Sequence, residues 1–307
     1  MHDDARAEAD ATEALGGRPE DVRALVAAIA AELEDGMLVP YLGPGMLSLC
    51  RGPQVPANPS ALAALLTARV GVPHRIRGRL TQAAQFIENF KHRKTLVALM
   101  NDALTAATEP SPLHLLLARS KAPLLVDSWY DGTLGRALRA QRADLAWGIV
   151  QGLSQSEHFG RWAAAYTGDG TELAGWNCAD AVPSGWSTLL YQPLGGHEPA
   201  ANYLVSDSDF VEVLTEIDIQ TPIPRAVQDR RRNRRFLFLG CRFDDQLVRS
   251  FARQIMKRSG AGHRAVIAGP LTRMELRFMH EQGIEHVDID LGDFAAAIGV
   301  HTNDASA

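Results

Sequence analysis

The chain has 307 residues, 46% of them hydrophobic, and a formal net charge of -5, which suits one large globular domain or two small ones with a substantial core. An acidic balance with a pI near 6.1 excludes the broad basic field of a dedicated nucleic-acid binder. Cys50, Cys178 and Cys241 stand far apart with no Cys-x-x-Cys pair, which argues against zinc and disulfides and for a reducing, cytoplasmic setting. The N-terminus lacks the basic and apolar regions of a signal peptide, and no window reaches the roughly 18 uninterrupted apolar residues of a membrane span.

Asp, Glu, Ala and Gly fill residues 1–18 without bulky periodicity, as in a disordered leader. Val22, Leu25, Val26, Ile29 and Leu33 then recur at helical spacing, with Gly36 where a C-cap belongs. The apolar run 37–42 predicts a buried strand despite Pro40, and Gly43-Pro44-Gly45 turns the chain sharply after it. Ser60 is expected to cap a helix reaching about Val70, and 80–104 reads as one or two more, so about 58–109 forms a helical insertion. Ser111-Pro112 opens a further helix before the strand Leu124-Leu125-Val126. Residues of about 150–187 are rich in Gly, Trp and Ser without a clear period and predict a loop-rich insertion or lid. Beyond it, apolar runs at 187–191, 203–205, 236–239, 265–268 and 285–289 alternate with helical patterns at 244–258 and 271–282, the signature of βαβ units and a parallel sheet. Residues 301–307 read as a tail.

A strand running into Gly-x-Gly lets backbone approach a phosphate, since glycine has no Cβ, and a following helix would offer N–H groups. The dehydrogenase form also needs an acidic residue roughly 20 positions on, yet none occurs between Gly45 and Glu88. The Gly-Lys-Ser/Thr of the ATPase phosphate loop is absent too.

Four segments in order, spanning about 36–300, resemble the Sir2-like superfamily in its zinc-free prokaryotic branch, often found in NAD-cleaving defence proteins. Tyr41-Leu42-Gly43-Pro44-Gly45 resembles the Gly-Ala-Gly turn that wraps the NAD diphosphate. The stretch 114–131 resembles a helix and a strand ending Thr-Thr-Asn-Tyr-Asp, here Asp127-Ser128-Trp129-Tyr130-Asp131. Leu190-Tyr191-Gln192-Pro193-Leu194-Gly195 falls where the family has Tyr-Lys-Leu-His-Gly, and 202–214 resembles the strand and helix that follow. Residues 236–245 resemble the Leu-Gly-Tyr-Ser-Leu-x-Asp element at the adenosine ribose.

The resemblance implies an α/β fold with a doubly wound parallel sheet, of the Sir2-like, DHS-like NAD/FAD-binding type. It also implies a ligand of NAD or a related nucleotide, no zinc, and a cofactor set of Gly43, Pro44, Gly45, Asp131, Gly240, Cys241, Arg242 and Asp245. The family's asparagine and its general-base histidine correspond to Trp129 and Leu194. Tryptophan only donates and leucine handles no proton, whereas acid–base work commonly supplies about 10²–10⁴ in rate. Arg242 takes the place of the ribose-binding serine and would meet a phosphate, a carboxylate, or an internal acid such as Asp244 or Asp245.

Three readings follow: a nucleotide-binding but catalytically degenerate sensor or interaction module, an active NAD glycohydrolase or ADP-ribosyl-transferring enzyme using Asp131 and His197, and a non-binding scaffold. A protein partner or homo-oligomer accords with the first. His197 has the competing role of an exposed loop histidine, Asp131 that of a helix cap, and Cys241 that of inert filler. The run Arg230-Arg231-Arg232-Asn233-Arg234-Arg235 is either a phosphate contact or a solvated helix end. Trp162, Tyr166 and Trp176 are expected to pack their own loop. Glu212, Glu216 and Asp218 suggest a solvated helix face rather than a metal site.

Overall fold

The computed structural model describes residues 19–304 except 53–54, 107, 145 and 217–222. The expected leader and Asp218 lie outside the described residues. Helix α1 (Pro19–Glu34) leads into strand β1 (Leu38–Leu42) through Gly36 at φ +67, where a Cβ would stand 2.7 Å from the Lys121 carbonyl oxygen. A short 3₁₀ turn, Pro44–Leu49, follows β1. Next come α2 (Pro59–Arg69), α3 (Leu80–Leu104), α4 (Pro112–Arg119), β2 (Leu124–Asp127) and α5 (Thr133–Gln141). Strands β3 (Trp147–Gly152), β4 (Ala163–Thr167), β5 (Thr188–Gln192), β6 (Gly195–Gly196) and β7 (Asn202–Tyr203) precede α6 (Asp207–Glu216) and α7 (Arg225–Arg231). The chain closes with β8 (Arg235–Leu239), α8 (Gln246–Met256), β9 (His263–Val266), α9 (Arg273–Gln282), β10 (Ile284–Val287) and α10 (Leu291–Asp304).

Eight strands form one sheet in the order β10-β9-β8-β1-β2-β5-β3-β4, and β6 pairs only with β7. Every pairing in the large sheet is parallel except β3 with β4. Strand residues alternate between two apolar layers: Val39, Tyr41, Phe236 and Phe238 join one, Leu38, Leu42, Leu237 and Leu239 the other. Such two-sided burial is what a parallel sheet with helices on both faces requires. Pro40 is tolerated in this central strand, where the ladder to β2 begins at Tyr41, one residue beyond it.

The parallel α/β sheet and the helical insertion match the sequence reading, while several local expectations are corrected. The helix expected to start at Ser60 is capped by Asn58, whose Oδ1 accepts the Ala61 N–H at 2.8 Å. The stretch of about 150–187 is not wholly loop, since β3 and β4 belong to the central sheet. Glycines and a glutamine interrupt β3's apolar pattern for packing reasons: a Cβ on Gly148 would lie 2.1 Å from the Trp186 ring, and one on Gly152 2.4 Å from the Pro193 carbonyl oxygen. The run 203–205 adds no strand to the large sheet, and α10 extends to Asp304, inside the expected tail.

The insertion is tied down most firmly at Arg93. Helix α3 kinks at His92, whose φ of 69 and ψ of 155 lie in a region that side chains other than glycine rarely adopt. The next residue, Arg93, bonds Asp209 at 2.9 Å, Glu157 at 3.0 Å and the Tyr203 carbonyl. Asp209 also accepts the N–H groups of Val205 and Ser206 and the hydroxyl of Ser154. One buried ion pair thus joins the insertion, the loop after β3 and the start of α6.

Candidate functional site at the carboxyl rim of the sheet

The chain passes to β2 on one side of β1 and returns to β8 on the other, so the topological switch lies between β1 and β8, where open α/β sheets take ligands. The glycine turn stands there. Its N–H groups, however, are engaged by protein: Gly43 donates to the Leu239 carbonyl and Gly45 to that of Gly240, each at 2.9 Å. A Cβ on Gly43 would lie 2.6 Å from the Gly240 oxygen, and one on Gly240, at φ +64, would lie 2.4 Å from the Met46 nitrogen. Gly43, Pro44 and Gly45 therefore join Gly240 and Cys241 in one contact, and the absent side chains let two loops interlock. Cys241 is buried, and desolvation pushes its thiol well above the ordinary range.

Arg242 projects from this contact to α9. Its Nε and Nη2 donate to Glu275 at 2.7 and 2.8 Å, so its partner is Glu275 rather than Asp244 or Asp245. Glu275 is 0% exposed and also accepts the Phe243 and Thr272 N–H groups and the Thr272 hydroxyl. Burial raises its carboxyl, and the bonds from Arg242 and Thr272 outweigh that, holding it below its ordinary value. Arg242 remains partly exposed, and its Nη1 has no protein partner among the described residues. Asp245 caps α8 by accepting the Leu247 and Val248 N–H groups.

Trp129 and Leu194 follow the carboxyl ends of neighbouring strands β2 and β5 and share one apolar layer with Tyr41, Val55 and Tyr191. Trp129 is 3% exposed, and its Nε1 donates to the Pro56 carbonyl at 2.9 Å. Beside Leu194, His197 is half-buried rather than an exposed loop residue. Its N–H donates to the Tyr130 carbonyl, and its Nδ1 lies 3.0 Å from the Tyr203 hydroxyl, which donates to Asn101 at 2.6 Å. Glu198 clamps the same loop to α5 by accepting from Arg136 at 2.8 Å and Arg139 at 2.6 Å.

Asp131 accepts the Thr133 N–H at 2.9 Å at the start of α5, the capping role. Around it lies a polar cluster that sequence reasoning missed: Cys50, Ser111, His114 and Asp127. His114 Nδ1 is 2.8 Å from Ser111 Oγ and 3.9 Å from Cys50 Sγ. Burial lowers the imidazole to about 4, the Asp131 charge only partly opposing it. Burial, then Asp131, pushes the Asp127 carboxyl well above its ordinary value. The apolar neighbours of His114 on α4, and Leu125 of β2, belong to the layer opposite Trp129 and Leu194. His114 and Asp127 thus lie on the face opposite Trp129 and Leu194, and the His197–Tyr203 pair lies beside Leu194. An aspartate ending an apolar strand, and a histidine three residues after a Ser-Pro cap, were the signals available in the sequence.

The arginine run is solvated at Arg232 and held by protein elsewhere. Arg230, Arg231 and Arg234 donate to the carbonyls of Trp186, Ile255 and Gly36, while Arg232 and Arg235 face Asp229 and Glu32. Trp176 is buried and Trp162 partly so, in keeping with loop packing, whereas Tyr166 is buried within β4 of the central sheet.

A family model described as a SIR2-like domain matches residues 123–287, more than half of the chain, and the chain belongs to that family. No curated protein matches it. Among the described residues, no cluster of three or more His, Cys, Asp or Glu side chains could hold a metal ion, and no helix is long and apolar enough to cross a membrane.

Proposed function

We propose that this chain is a Sir2-like protein that binds an NAD-type nucleotide at the β1–β8 crevice without cleaving it, and serves as a sensor or interaction module. The observation that carries this reading is the pairing of Trp129 and Leu194, both buried at adjacent strand ends where the family resemblance puts an asparagine and a general-base histidine. Neither can move a proton. The fit to a nucleotide is partial: the glycine N–H groups are engaged, and Arg242, held by Glu275 with Nη1 outward, supplies the charge for a phosphate. A partner, another protein or a second copy of the chain, would read the bound state.

Incubating the purified chain with NAD should release nicotinamide no faster than the buffer control. NAD, ADP-ribose or ATP should raise the melting temperature, because a ligand of the native state stabilises it. Arg242→Lys, which keeps a charge beside Glu275 and loses the planar fork, should abolish that rise. No rise with any nucleotide would leave a scaffold. A second reading rests on the His197–Tyr203–Asn101 chain beside Leu194, which holds an imidazole in a fixed orientation. Turnover that disappears in both His197→Ala and Asp131→Ala would establish it.

A further inference from the structure

The opposite, amino-terminal rim of the sheet carries a feature that the crevice does not explain. A hollow of about 310 Å³ opens where β2 and β5 begin, lined by Arg119, Lys121, Arg142 and Ser187 among others. We propose that this hollow is a second binding site, for a small oxyanion bearing several phosphate or carboxylate charges. The volume lies at the low end for ligand sites, which favours a compact ligand over a polymer.

The charge of the hollow is uncompensated. Among the described residues, none of Arg119, Lys121 and Arg142 has a carboxylate within 4 Å, in contrast with the arginines of the crevice rim. Arg142 is half-buried and fixed by three bonds: Nε to the Ala118 carbonyl at 2.7 Å, Nη2 to that of Ser120 at 2.6 Å, and Nη1 to Ser187 Oγ at 3.2 Å. Carbonyls and hydroxyls orient a guanidinium without neutralising it, so the group is pre-organised for an anion. The acid that acts on Arg142 is Asp144, whose Oδ1 already accepts the Ala146 N–H at 3.2 Å. Behind the hollow, Arg230 bonds the Trp186 carbonyl next to Ser187, adding positive field. On a chain of net charge -5 this local concentration of unpaired cations is the opposite of the global balance.

The test uses the full chain with pyrophosphate, citrate and acetate, matched in ionic strength with sodium chloride. Pyrophosphate or citrate should raise the melting temperature by roughly 2 °C or more at ten times its Kd, and acetate should not. A response to pyrophosphate alone assigns phosphate chemistry, and one to citrate alone assigns carboxylate chemistry. Arg119→Ala and Lys121→Ala should each weaken binding about tenfold by calorimetry, whereas Arg242→Lys should leave it unchanged. Absence of any response overturns the proposal. So does a response that survives in the Arg119→Ala, Lys121→Ala double variant, or one that Arg242→Lys removes, since the anion would then sit elsewhere.

Discussion

The carboxyl rim of the sheet and the hollow at its amino rim use the same residue type in different ways. At the carboxyl rim, arginines end on carboxylates: Arg242 on Glu275, Arg136 and Arg139 on Glu198, Arg93 on Asp209. At the amino rim the use is mixed: Arg235 and Arg264 end on Glu32, whereas Arg142, Arg230 and Arg234 end on backbone carbonyls. Loops that must be held rigid are fastened by complementary charge, and Arg242 keeps only Nη1 clear of its carboxylate. Around the hollow, Arg119, Lys121 and Arg142 have no such ion pair among the described residues, and their field stays available.

The sharpest way to break this contrast is at Glu275. Glu275→Ala should lower the unfolding free energy by about 3–5 kcal/mol, because Arg242 and the Thr272 and Phe243 N–H groups lose a buried acceptor together; urea denaturation measures it. A loss below about 1 kcal/mol would mean that the carboxyl-rim pairs are ornamental.

Acid titration of the folded chain gives the next largest effect. His114 titrates at about 4 in the fold and about 6.5 when unfolded, so its contribution is complete above the unfolded value and is lost as pH falls through the folded one. The expected loss is on the order of 3 kcal/mol between roughly pH 6.5 and pH 4. Glu275 and Glu198, whose carboxyls are depressed, add their loss only below the ordinary carboxylate range. The His114→Gln variant should lose this component alone: the stability difference between parent and variant should shrink as pH falls across the upper window and stay constant in the lower one. The raised Asp127 carboxyl, which adds stability as pH falls, and the lowered His263 act on both chains alike.

His92→Gly runs the other way. The left-handed conformation beside Arg93 strains a side chain and suits glycine, so the substitution should stabilise the chain by about 1 kcal/mol in the same denaturation assay. Smallest of all, Arg119→Ala or Lys121→Ala should change stability by no more than about 0.5 kcal/mol. A larger loss would show that these cations are structural, as those of the carboxyl rim are.

The sheet was legible in the sequence because two-sided burial writes itself as runs such as Leu124-Leu125-Val126 and Phe236-Leu237-Phe238-Leu239. Strand β3 was not, because its glycines yield space to Trp186 and Pro193, and long-range packing of that kind leaves no periodicity. The candidate site was readable as a place and not as a set of bonds. Glycines 43, 45 and 240 and the residues Trp129 and Leu194 marked the rim from sequence. That Arg242 would choose Glu275, 33 residues onward, depends on how α9 docks, and the burial of His114 and Asp127 depends on both faces of the sheet being covered.

The interlocked turns after β1 and β8 bear on how such chains change over generations. Replacing Gly43 or Gly240 collides with main chain whether or not a dinucleotide is ever present, so selection for folding alone suffices to preserve them. A descendant that lost the ligand would still keep the glycines, and a survey keyed to the turn will collect shared architecture before shared chemistry.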